Sequence, residues 1–167
     1  MTENIYNELL EVLTKEYELY CEMKELADKK KDALIENSIN ELVDHVKNEE
    51  DIIEKVRELE GRRNEIIINI CDSKNVKAED ISFQELIKLI PDSEQEKMLD
   101  IREKLLDVID RLQEQNEQNK LLVTEAINLN NVTINMFLEA LEPENAIYDM
   151  KQKAVKNKTR RLLDRKG

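Results

Sequence analysis

The chain has 167 residues, which suffices for one domain and does not force two. Two glycines, two prolines, 4% aromatic residues and no Trp exclude a turn-rich sheet protein and leave few stacking platforms for bases or sugars. A formal charge of -12 excludes nucleic-acid binding by the body of the protein, because phosphate affinity rests on Lys and Arg.

The chain opens Met1-Thr2-Glu3-Asn4, with no basic stretch leading into an apolar one, and no run nears the roughly 20 apolar residues of a membrane span. A cytoplasmic protein is expected, with no membrane insertion. A first helix is predicted from about Glu3 to Lys31, with Ile5, Leu9, Val12, Leu19, Met23 and Leu26 on a seam of alternating three and four spacing that Glu16 interrupts. Leu10, Leu13, Tyr17 and Tyr20 broaden that stripe. A second helix starts at the Ser38/Glu41 capping box and continues to about Cys71, carrying Ile39, Leu42, Val46, Ile53, Val56, Ile67 and Ile70, with Glu49, Glu60 and Arg63 as polar interruptions. The short connection makes it return antiparallel. Gly61 lies inside this helix and marks either a close helix contact or a soft point.

Asp72 to Asp80 is polar and aperiodic, the Ser82/Glu85 box opens a short amphipathic helix to Ile90, and Pro91-Asp92 breaks the chain. A third Ser-x-x-Glu box, Ser93/Glu96, opens a third long helix to Glu142, where Pro143 stops it. Its seam reads Met98, Ile101, Leu105, Val108, Leu112, Gln115, Asn119, Leu122, Ala126, Leu129, Thr133 and Met136. The fold class expected is all-α: an elongated antiparallel bundle or coiled coil of three long helices over residues 1–142, with a short linker helix. Residues 143–167 form a basic tail, with eight Lys and Arg against three Asp and Glu, on an otherwise acidic chain.

Three groups of residues are candidates for function. At 1.5 Å per residue the third long helix would be about 75 Å long and the second about 50 Å, so the end of the third has little beside it. There Leu129, Val132 and Met136 project within about 60° of one another, while Ile127, Ile134, Leu138 and Leu141 point to the opposite side, with Phe137 in the same segment. A helix apolar on two faces needs a second partner: its own tail, a second copy or another protein. The tail, with Ile147, Tyr148 and the basic-apolar run Arg160, Arg161, Leu162 and Leu163, is the second candidate, disordered alone or helical on binding. Third, Glu49, Gln115, Asn116 and Asn119 form a polar layer, with Asn119 expected near Glu49, that either fixes register inside the bundle or meets a partner's backbone.

Glu41, His45 and Glu49 share a helical face, but the paired Glu-x-x-His motifs of a di-metal bundle are missing, so no metal is expected. No nucleophile elbow, Walker loop or dinucleotide glycine pattern occurs, which argues against an enzyme and against a cofactor. Cys21 and Cys71 have no metal-ligand or CxxC neighbours and read as reduced thiols.

Taken in order, Leu34-Ile35, Glu49, Leu59-Glu60, Arg62-Arg63, then Asn116, Asn119, Leu121-Leu122 and Tyr148 form a pattern that resembles the FlgN family of flagellar export chaperones over about residues 5 to 150. The resemblance implies a cytoplasmic chaperone that binds disordered terminal segments of the hook-filament junction proteins FlgK and FlgL. It would deliver them to the flagellar type III export apparatus by binding alone, with no covalent step. Two other readings follow from the residues: a structural coiled coil that homodimerises through its third long helix, and a basic-tailed adaptor for ribosomes or nucleic acid.

Overall fold

The structure, a computed structural model, describes residues 2–79 and 81–141. Four helices occur among them and no strand: α1 (Thr2–Ile35), α2 (Ile39–Ser73), α3 (Phe83–Leu89) and α4 (Asp92–Leu141). Contacts divide the chain into two units, Met1–Val123 and Thr124–Gly167.

In the first unit α1 and α2 form a hairpin whose turn follows from a helix C-cap. Asn37 takes a left-handed φ of 57°, a conformation that Asn tolerates better than most side chains. The turn then closes with Ser38 N–H donating to the Ala33 carbonyl (2.8 Å) and Asn37 N–H to that of Leu34 (3.3 Å), a Schellman arrangement. This corrects one expectation. The Ser38 amide, which Glu41 would have to engage in a capping box, is already committed to Ala33, and the Ser38 side chain makes no cap hydrogen bond. Asn75, with φ 55°, ends α2 the same way, its N–H and that of Val76 going back to Asp72 and Cys71.

The Ser82/Glu85 capping box forms in full, with Ser82 Oγ accepting from the Glu85 amide and Glu85 accepting from the Ser82 amide. At α4 the helix starts two residues earlier than the Ser93/Glu96 box requires, at Asp92 rather than Glu94. The Pro91 carbonyl takes the amides of Glu94 and Gln95, and Asp92 and Glu94 supply negative charge to the first turn. Ser93 therefore lies within the helix.

One core cluster joins all four helices: Tyr6, Leu9, Val12 and Leu13 of α1, Ile66 and Ile70 of α2, Leu86 of α3, and Met98, Ile101 and Leu105 of α4. A smaller cluster of Leu26, Ile52 and Val56 fills the hairpin nearer its turn. Met98 lies in the cluster with Leu9, and Asn119 bonds Ala27, so α4 runs parallel to α1 and antiparallel to α2 in this unit. Each fully buried aliphatic side chain contributes roughly 1.5–3 kcal/mol, which is what holds helices of this composition together.

Candidate functional site

Among the described residues three ion pairs cross the α1/α2 hairpin: the exposed Arg62 with Glu8, and two more buried ones at the places where charges interrupt the seams. Arg63 donates to Glu16 Oε2 at 2.6 Å, and Lys30 donates to both oxygens of Glu49 at 2.6 and 2.7 Å. Fourteen residues separate Glu16 from Lys30 and fourteen separate Glu49 from Arg63, so both pairs belong to one antiparallel register. Glu16 is buried, and burial pushes its carboxyl above the usual range while the Arg63 guanidinium pulls the other way. Burial likewise raises the Tyr20 phenol, next to Glu60 and Glu16.

Of the four polar-layer residues, Gln115 and Asn119 meet: Gln115 Nε2 donates to Asn119 Oδ1 at 3.1 Å. The buried Asn119 donates in turn to the Ala27 carbonyl of α1 at 2.8 Å. Asn116 is half-buried, and Glu49 takes its hydrogen bonds from Lys30 rather than from Asn119. The small, fully buried Ala27 leaves room for the amide to reach that backbone oxygen.

Along α4 the seam keeps its period while its surroundings change. Met98, Ile101, Leu105, Val108, Leu112 and Asn119 are buried, Leu122 and Ala126 are half-buried, and Leu129 and Met136 are 67% and 66% exposed. Val132, Ile127, Ile134, Phe137, Leu138 and Leu141 are exposed as well, so both apolar faces of α4 between Thr124 and Leu141 carry exposed side chains. Only Glu125 and Glu139 carry charge between Thr124 and Leu141, which leaves a polar-poor surface of the kind that marks protein interaction sites. Ile147, Tyr148, Arg160, Arg161, Leu162 and Leu163 lie outside the described residues.

The sequence reading missed the pairing of Glu16 with Arg63, although both were seen as seam interruptions. The signal was present: opposite charges at matching distances from a short turn. It also missed Tyr6, which is buried with its hydroxyl donating to the Leu89 carbonyl at 3.4 Å.

Among the described residues no helix is long and apolar enough to cross a membrane. A family model described as FlgN protein matches residues 1–156. No curated protein and no solved structure matches the chain.

Proposed function

The chain belongs to the FlgN family of flagellar export chaperones, and from that premise we propose that it binds the terminal segments of the hook-filament junction proteins FlgK and FlgL in the cytoplasm. It then presents them to the flagellar type III export apparatus. The observation that carries this reading is the exposure of apolar side chains on both sides of α4 between Ile127 and Leu141. An unfolded client segment with an amphipathic helical tendency lays its apolar side on Leu129, Val132 and Met136, and a second client turn or helix takes Ile134, Phe137, Leu138 and Leu141. Burial of these surfaces supplies the affinity and keeps the client from associating with itself. The chaperone does its work by holding, with no bond made or broken.

The basic tail, residues 143–167, serves in this reading as an added contact, through Ile147, Tyr148 and Arg160 to Leu163, for the client or the export apparatus. The test is calorimetric titration of the full chain with the C-terminal segments of FlgK and FlgL, repeated with Met136→Asp and with a chain ending at Glu142. Binding by the wild type that weakens at least about tenfold in Met136→Asp supports the reading, since a charge then replaces a buried apolar contact. A folded wild-type protein that binds neither segment overturns it. A stable homodimer that buries α4 would then be the better account.

A further inference from the structure

The exposed end of α4 and the residues that follow it divide two properties between them. Counting about 100° per residue, Asn128, Asn131, Asn135 and Glu139 fall within about 80° of one another. The rest of the circumference is apolar apart from Asn130 and Thr133, with Phe137 64% exposed and Ile134, Leu138 and Leu141 exposed beside it. No Lys or Arg occurs from Leu121 to Glu142. Residues 143–167 then hold eight Lys and Arg against three Asp and Glu, a net of +5, while residues 1–142 hold 18 against 35, a net of -17. Ile147, Tyr148, Leu162 and Leu163 are set among those cations.

An exposed apolar arc without cations, followed directly by a basic run, supplies the two signals that peripheral attachment to an anionic bilayer needs. Apolar side chains enter the boundary between headgroups and acyl chains, while Lys and Arg meet the lipid phosphates. A tyrosine such as Tyr148 suits that interface, with its ring on the apolar side and its hydroxyl in water. Nucleic acid would use the cations but gain nothing from Phe137, Leu138 and Leu141, and Tyr148 is the single aromatic residue of the basic run on which a base could stack. The acidic remainder of the chain is repelled by the same bilayer, which confines attachment to the end that carries the cations.

We propose that the chain from Ile134 onward docks on the surface of an anionic phospholipid bilayer. Ile134, Phe137, Leu138 and Leu141 rest at the headgroup boundary, and the Lys and Arg residues after Pro143 engage the lipid phosphates. This docking goes beyond client recognition and does not rest on it: the assay below contains no client, and its failure leaves the client titration standing.

The test is flotation of the full chain with vesicles of phosphatidylcholine alone or with about one-third phosphatidylglycerol added. Wild type is compared with Phe137→Asp, with the double variant Arg160→Glu, Arg161→Glu, and with Ile39→Asp, which changes an equally exposed apolar residue at the start of α2. All the replaced residues of known exposure lie at the surface, so the fold should persist, which thermal unfolding checks. Wild type should bind the phosphatidylglycerol vesicles at least about tenfold more strongly than phosphatidylcholine alone, and less strongly as salt is raised. The double variant should bind them at least about tenfold more weakly than wild type. Phe137→Asp should bind at least about fivefold more weakly, and Ile39→Asp as wild type does. No binding by wild type overturns the proposal, as does equal binding to the two kinds of vesicle. A loss in Ile39→Asp as large as that in Phe137→Asp overturns the placement at the end of α4. Displacement of wild type from the vesicles by oligouridine, together with unchanged vesicle binding by Phe137→Asp, would overturn the lipid in favour of nucleic acid.

Discussion

Replacing Arg63 by methionine isolates the buried charge of Glu16. The Glu16 side chain is 1% exposed and that of Arg63 31%, so methionine fills the aliphatic path of the arginine but leaves the carboxylate without its cation. Removing one partner of a buried pair costs about 3–5 kcal/mol, and protonation of the stranded carboxyl caps that penalty at about 1.4 kcal/mol per unit of pKa rise. The expected loss at neutral pH is therefore about 2–4 kcal/mol. The sign of the pH dependence follows from burial, which already raises the Glu16 carboxyl above its usual value, with Arg63 opposing. A raised acid binds its proton more tightly in the folded state, so its stabilising effect is complete below the ordinary carboxyl range and is lost as pH rises through the raised value. Without Arg63 the carboxyl moves further up, and the stability deficit of Arg63→Met shrinks as the solution is acidified toward the ordinary value of 4.5. Urea unfolding followed by circular dichroism, at neutral pH and near that value, measures both quantities. The double replacement Glu16→Leu, Arg63→Met should recover wild-type stability or exceed it by about 1–4 kcal/mol. A single-variant loss below about 1 kcal/mol that does not change with pH would refute the reasoning, because Glu16 would then be hydrated in the folded state.

Gly61→Ala should raise unfolding stability by about 1 kcal/mol in the same assay, since the position is helical and a methyl group there meets nothing within 4 Å. Asn119→Asp removes the donor that reaches the Ala27 carbonyl and brings a carboxylate against it, and should cost about 2 kcal/mol or more at neutral pH. Ser82→Ala should speed hydrogen exchange at the first amides of α3, because the box that holds them is lost. The hydrogen bonds from Ser82 hold the Glu85 carboxyl below its usual range, so the cap stabilises fully above that range and weakens as pH falls through the lowered value. Met136→Asp, at a 66% exposed position, should leave unfolding stability within about 0.5 kcal/mol of wild type while it weakens client binding.

Helix number and order were legible because Ser, Pro and Asn punctuate a sequence almost free of glycine, and the apolar seams have a single period. What failed at the boundaries was chemistry that competes for one backbone group. Ser38 has the side chain for a cap, but its amide is drawn into the end of α1, and Pro91 claims the first turn of α4 ahead of Ser93. Within α2 the buried positions include Ile52 and Ile66 where the sequence seam favoured their neighbours Ile53 and Ile67, since several adjacent isoleucines leave the facing side open by about one position. Exposure along α4 was legible in outline from the second apolar face. The cavity lined by Leu9, Glu16, Arg63 and Leu105 was not, because it depends on the spacing between helices, which no seam encodes.

The polar groups along the seams explain why an aliphatic bundle with so repetitive a pattern has one register. Leucine and isoleucine seams of this period are satisfied by shifts of a whole heptad, with little change in apolar burial. Such a shift would leave Glu16 without Arg63, Glu49 without Lys30, and Asn119 facing a side chain other than the small Ala27. Each of these losses leaves a buried or half-buried polar group without its partner, so the three penalties act together against every shifted alignment. This control of register ends at Asn119. Past Asn119 no seam position of α4 carries an ionisable group, and the polar interruptions reduce to Thr133, whose hydroxyl bonds back to the Leu129 carbonyl of its own helix. A segment with apolar faces and no polar register marks accepts helices in more than one alignment.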